Sequence, residues 1–383
     1  MARALYIHWP FCLKKCPYCD FNSHVREGVD VAQWQAALLA DMRHEAELAG
    51  GEALESVFFG GGTPSLMPPT LVAALLAEAE RLWSFASGIE ITLEANPSSV
   101  EASKFRDLAA AGVNRVSLGL QALDDEALRF LGRLHDVQEG LAALQRAQEA
   151  FTRVSFDLIY ARPGQTPEQW AQELDRAIGF GTSHLSLYQL TIETGTRFAT
   201  DVRQGAFEPL AEDPAADLFE LTRERTEAAG LPAYEVSNHA RPGEESRHNL
   251  TYWRYQDYIG IGPGAHGRRG GMATTRHKKP ENFLEAVARN GHGLAAERAL
   301  VPREQGAEAL LMGLRLCEGV DLAGLAQRLG LPAADLIDRG RLALHEKLAL
   351  AWSEGERIGV TAQGMPVLDA LLSELVPDAL AAA

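Results

Sequence analysis

The sequence predicts an α/β protein: an open, partial (β/α)6 barrel followed by a winged-helix-like α+β domain. Three observations carry this. From residue 3 to about 230, short β-branched or aromatic runs alternate six times with amphipathic segments of helical period. Turn glycines such as Gly88, Gly112 and Gly181 stand just ahead of the next strand. Beyond residue 301 the pattern changes to helices, a hairpin and a last helix. With 383 residues the chain is also longer than one hydrophobic core usually serves, so more than one packed unit is expected.

The strand candidates lie at residues 3 to 8, 56 to 59, 90 to 95, 115 to 120, 153 to 158 and 184 to 190. Helical segments fall at 31 to 49, 69 to 86, 99 to 111, 137 to 151, 168 to 180 and 213 to 229. Right-handed crossovers curl such a series into a barrel, and six units are two short of the eight that close one. A lateral mouth is therefore expected, with chemistry at the C-terminal ends of the strands. Residues 231–293 are rich in Gly, His, Arg and aromatics without helical period and read as a covering extension of a barrel domain spanning 1–230. Residues 294–383 read as the C-terminal domain, where a helix from Pro302 leads through two shorter ones to a hairpin around an EGE turn.

Composition is that of a folded protein, with 46% apolar and 23% charged residues. The formal charge of −16 repels phosphate backbones, so nucleic acid is not expected as a partner. A winged helix often binds DNA, yet residues 301–383 hold 7 Lys and Arg against 12 Asp and Glu, which points to a structural or protein-contact role. No apolar run of roughly 18 residues and no secretory leader is seen, so a cytoplasmic location is expected.

Cys12, Cys16 and Cys19 follow directly on the first strand, where a barrel site should open. Three thiolates so close together suit one compact soft-metal centre. A [4Fe-4S] cluster held by three cysteines keeps one iron free for a bidentate ligand. His8 and His24 could instead complete a zinc set. Cys317, near LRLCEG, reads as a packed thiol in an apolar helix.

The C-x3-C-x2-C spacing after an N-terminal strand, followed by six βα units, resembles the radical S-adenosylmethionine (SAM) enzymes. Within them the chain is similar to the oxygen-independent coproporphyrinogen III oxidase family, above all its HemW-type haem chaperone branch. LYIHWPFCLKKCPYCDF, FFGGGTPS, LEANP, DLIYARPGQT, SRHNLTYW and YIGIGPGAHG are among the stretches that carry the likeness, which covers nearly the whole chain. The resemblance implies a [4Fe-4S] cluster on Cys12, Cys16 and Cys19, an electron donor for it, and SAM on the open iron, whose reductive cleavage yields methionine and a 5′-deoxyadenosyl radical. It also implies a SAM site formed by Tyr6, Tyr18, Gly61, Gly62, Thr63, Glu94, Gln121, Arg133 and Asp157. Independently of the family, glycines straight after a strand let backbone approach a ligand and turn amides toward a carboxylate.

Two functions remain open at this point. The oxidases of this family carry a further cysteine where this chain has Phe21, and a longer N-terminal extension; here eleven residues precede Cys12. The HemW-type branch has an H-N-x-x-Y-W motif, present as His248 to Trp253. The resemblance therefore favours a haem-binding protein that hands haem to acceptors, such as respiratory-chain proteins at the inner face of a membrane. Oxidative decarboxylation of a porphyrinogen is the alternative. His248, beside a Tyr and a Trp, is the candidate haem ligand. Arg268, Arg269, Arg276, Lys278 and Lys279 make a basic stretch expected to meet haem propionates or an anionic surface. Ala161 and Arg162 stand where relatives often have Gly and Leu, and Arg162 is expected to add a cation to the floor of the SAM site.

Overall fold

Strands with polar and apolar residues in strict alternation must divide them between two faces. In the computed structural model, which describes residues 3–26, 28–50, 52–377 and 380, this alternation builds the barrel. The six βα units are β1 (Ala4–Trp9), α1 (Val31–Leu48), β2 (Leu54–Gly61), α2 (Pro69–Trp83), β3 (Phe85–Ala95), α3 (Phe105–Ala110), β4 (Arg115–Gln121), α4 (Val137–Ala150), β5 (Arg153–Tyr160), α5 (Pro167–Ile178), β6 (His184–Gln189) and α6 (Glu212–Ala228). Val57, Phe59, Leu93, Val116, Phe156 and Leu185 lie on one face, fully buried in the main core. Each such side chain is worth about 1.5–3 kcal/mol. The other face holds a ladder of polar groups. Arg115 donates to Thr92 and Ser155, Ser155 donates to Ser117, and Ser117 donates to Asp157. Capping boxes at Asp136/Glu139 and Thr166/Gln169 start α4 and α5. The helix expected at 99–111 is broken after Ser99–Ala102, where the Glu101 carboxylate turns inward to accept from Ser65, Ser98 and the Asn96 amide.

The stretch after α6 is more ordered than its sequence suggests. It contains β7 (Asn238–Ala240), α7 (Arg247–Trp253), β8 (Tyr258–Ile261), β9 (His266–Arg269), β10 (Met272–Arg276), α8 (Pro280–Asn290) and β11 (Leu294–Ala299). All its strands join the barrel sheet, whose order is β11-β10-β9-β8-β1-β2-β3-β4-β5-β6-β7. β8 runs parallel to β1 with Ala4 opposite Tyr258, so seven parallel strands stand in a row. α7 closes the barrel at the N-terminal ends of β2 and β3. The Glu90 carboxylate accepts from the His248 and Arg247 amides and from the Ser246 hydroxyl, and is paired with Arg153 at 2.7 Å.

The basic stretch 268–279 is a hairpin, not a free loop. Arg276 is fully buried against Asp41 and Glu45, Arg269 bridges Glu45 and Glu297, and the Arg268 guanidinium lies 3.5 Å from the centre of the Tyr255 ring. Burying a guanidinium requires such partners. Three of the five cations therefore serve the fold, which corrects the expectation for Arg268, Arg269 and Arg276 and leaves Lys278 and Lys279 exposed.

The C-terminal unit is winged-helix-like. α9 (Pro302–Gly313), α10 (Leu322–Leu329) and α11 (Arg339–Lys347) precede the hairpin β13 (Ala351–Glu354) and β14 (Arg357–Val360), and α12 (Leu368–Leu375) follows. The strand β12 (Val320–Asp321) completes a small sheet of order β12-β14-β13. This unit has its own core around Leu310, Leu322, Ile358 and Leu371, into which Phe219 and Tyr255 reach. Cys317 lies beyond the end of α9, with its amide bonded to Tyr234 and its sulfur 3.6 Å from Arg223. Among the described residues no helix is long and apolar enough to cross a membrane.

Candidate cofactor and cargo site

The polar ladder rises through the barrel to its mouth, where the cysteine loop crosses. Cys12, Cys16 and Cys19 are all free thiols. The Thr63 hydroxyl donates to the Cys12 sulfur at 3.4 Å, and Arg133 Nη1 approaches the Cys16 sulfur at 3.3 Å. Asn96 couples these two donors, accepting from Arg133 at 2.5 Å and donating to Thr63 at 3.1 Å. Burial pushes the Cys12 and Cys19 thiols up. Among the described residues Arg133 Nε is buried without a protein partner, and the buried Ser23 Oγ lies against the Cys12 and Cys19 sulfurs.

A guanidinium with one donor to spare and two hydroxyls, Thr63 and Ser23, around three thiols fit an anionic, sulfur-rich cluster. A single zinc ion fits poorly. The ring nitrogens of His8 are bonded to Tyr6 and to the Asn22 carbonyl, and His24 pairs with the Asn22 side chain. No three His, Cys, Asp or Glu side chains among the described residues converge on one ion.

The glycine loop is arranged differently from the expectation. The Gly61 amide donates to Glu94 at 3.2 Å, while the Gly62 and Thr63 amides donate to the Trp9 and Phe11 carbonyls. None of these three donors is left for a ligand carboxylate. The glycines are needed for close approach: a Cβ at Gly62 would stand 2.7 Å from the Phe11 carbonyl oxygen, and one at Gly61 would meet the His8 ring.

Glu94, at the end of β3, and Asp157, on β5, border the same space. Burial, then the Asp157 charge, pushes the Glu94 carboxyl up to about 8. Burial pushes Asp157 up to about 6, against hydrogen bonds from Ser186 and Ser117 and the Arg115 charge. Gln121 ends β4 with a left-handed φ of 69°, a strained conformation of the kind found at binding sites. Ala161 also lies in the left-handed region, at φ 56°, which is the physical reason a glycine would suit that position. Arg162 turns away from the site into an ion pair with Glu173 on α5, so it adds no cation to the floor.

Two cavities open at the mouth on either side of Glu94. The larger, about 970 Å3, lies between the barrel and the C-terminal unit and is bordered by Tyr18, Cys19, Gln121 and Asp157. The smaller, about 580 Å3, is bordered by Tyr6, His8, Gly61 and Tyr252. Asp20 and Phe21 border both, and the Phe21 ring is 61% exposed.

His248 borders neither. It is 1% exposed, its Nδ1 is bonded to Ser56 at 3.0 Å and its Nε2 to the Tyr252 hydroxyl at 2.7 Å. With both nitrogens occupied at the closed end of the barrel, it has no position from which to bind iron in this arrangement. Asn96, Arg115 and Ser117 are participants that no sequence signal singled out. All three lie inside stretches that resemble the family, Asn96 in LEANP and Arg115 and Ser117 in GVNRVSLGLQ.

Residues 6–177 match the family described as the Radical SAM superfamily, and residues 300–367 match the HemN C-terminal domain. Heme chaperone HemW of Escherichia coli is 40% identical over 324 residues, covering 82% of this chain and 83% of that one. Radical S-adenosyl methionine domain-containing protein 1, mitochondrial, of Bos taurus is 39% identical, covering 97% and 87%. Among solved structures, coproporphyrinogen III oxidase (HemN) from Escherichia coli, a radical SAM enzyme, superposes with a TM-score of 0.82 at 26% identity, covering 97% and 89%. On sequence, domain composition and fold together, the chain belongs to the radical SAM superfamily, in the coproporphyrinogen III oxidase-like family and its HemW-type branch.

Proposed function

We propose that this protein binds haem and delivers it to acceptor proteins, with a [4Fe-4S] cluster and SAM as resident cofactors at the barrel mouth. The observation that carries this is the contrast between relatives: 40% identity over four fifths of the chain to a protein named as a heme chaperone, against 26% to the oxidase. An exposed phenyl ring, Phe21, standing where the oxidases carry a cysteine, points the same way.

Cys12, Cys16 and Cys19 would hold three irons of the cluster, with Thr63 and Arg133 donating to their sulfurs. When bound, such a cluster supplies one electron to the SAM sulfonium. The chain's own part is to bind and orient. Glu94 and Asp157 present carboxylates to a cationic ligand, Gln121 offers an amide, and Tyr6 and Tyr18 flank the loop. Arg115 limits the repulsion between the two carboxylates from below. A cytoplasmic protein of this kind would meet haem acceptors at the inner face of the membrane and draw electrons from a separate donor.

Anaerobic incubation of the cluster-loaded protein with SAM and a reductant separates the two activities. With haem, a stable complex that transfers haem to an apo-acceptor is expected. With coproporphyrinogen III, no vinyl product is expected. Efficient conversion of propionates to vinyls, without haem transfer, would overturn the reading.

A further inference from the structure

With His248 enclosed, a haem ligand must be sought elsewhere, and the two cavities differ sharply in charge. The larger is bordered by the carboxylates of Glu193, Glu212, Asp213 and Asp369 in addition to Asp20 and Asp157, against one cation among the described residues, Arg315. Haem carries two propionates, so this wall repels it. The smaller has two ammonium groups at its border, Lys15 and Lys278, against Asp20 and Glu94. Its aromatic lining, Tyr6, Phe21, Tyr252 and Tyr258, suits a flat macrocycle, and about 580 Å3 lies within the range of cofactor sites.

One imidazole is free there. His266, on β9, is exposed at the cavity and no hydrogen bond engages its ring among the described residues. By contrast His8 and His24, which border the same space, are held by Tyr6 and Asn22. Asn22 fixes the rim, donating to the Pro263 and Lys278 carbonyls at 2.9 Å each.

We propose that haem lies in this smaller cavity, with His266 as its protein ligand and Lys15 and Lys278 paired with its propionates. The proposal rests on the haem-carrier reading. His248 is then a positioning residue: its bond to the Tyr252 hydroxyl sets a ring that borders the cavity. The HNLTYW motif contributes the floor of the site through Tyr252, not the metal ligand.

An absorption titration of the full-length, cluster-loaded protein with haem tests this. Wild type should bind haem with the Soret band of histidine ligation. His266→Ala should lose that band and bind at least tenfold more weakly, and added imidazole should restore the band, which a purely structural effect of the substitution would not allow. Lys15→Gln with Lys278→Gln should weaken binding about tenfold without moving the band. Arg315→Gln, in the larger cavity, should change neither. A His266→Ala spectrum and affinity equal to wild type would overturn the proposal while leaving haem carriage standing. Absence of any haem band in wild type would defeat the haem reading, and this proposal with it.

Discussion

Glu94 carries a cost that only a ligand can justify. Its carboxyl is raised from 4.5 to about 8 by burial and by Asp157, so between those values the folded chain holds a proton that the unfolded chain has released. Stability of the cofactor-free protein therefore falls as pH rises through this window. Glu94→Gln should remove that slope and, at pH 8, raise stability by on the order of 1–3 kcal/mol while weakening SAM binding. Urea denaturation of both proteins at pH 5 and pH 8 checks this; parallel pH slopes would contradict it. Such a residue, improved in stability and impaired in binding by one change, is what a functional carboxylate should be. Its place at the end of a strand was legible in the sequence, because EITLEA alternates cleanly. Its partner Arg115 was not: that side chain reads as an ordinary strand-start cation until the fold turns it inward between Thr92 and Ser155.

Elements with strong periodicity were readable and short ones were not. The six barrel strands and all their helices but the broken one at 99–111 declared themselves through alternation and amphipathic spacing over long segments. α7 has only seven residues, too few for a visible period, and the group that anchors its start, Glu90, lies more than 150 positions upstream. The same non-locality hid the use of the glycine loop. From the sequence its amides face a ligand; in the fold, β1 and its continuation take two of them and Glu94 the third. The loop is thus a joint between β2 and the cysteine segment. Gly62→Ala places a Cβ against the Pro10–Phe11 backbone, which cannot rotate aside as a side chain can. A destabilisation of roughly 1–3 kcal/mol is expected, with the cysteine segment displaced and cluster loading reduced, since the strain falls there. Iron content together with far-ultraviolet circular dichroism tests this: full iron occupancy would contradict it, whereas lost iron with retained secondary structure is the expected outcome.

At the scale of the whole molecule, charge is segregated in a way composition could not reveal. A chain of net −16 engages three arginines of its most basic stretch in ion pairs and against the Tyr255 ring, and keeps two lysines far apart in the sequence, Lys15 and Lys278, at one cavity. The barrel and the winged-helix-like unit face each other across a larger, acidic chamber, with the cysteine loop and Phe21 between the two spaces. Radical chemistry and cargo binding would then share one mouth, and the cysteine loop would form a wall of both. That arrangement has meaning only if the loop holds a cluster with an open iron. The most direct measurement is iron and sulfide content, with the visible spectrum, of protein prepared without oxygen, beside a variant in which Cys12, Cys16 and Cys19 are all serine. The account predicts a full cubane complement and a SAM-sensitive spectrum in the parent, both absent from the serine variant. Zinc in place of iron, or an unchanged spectrum in the variant, would contradict it.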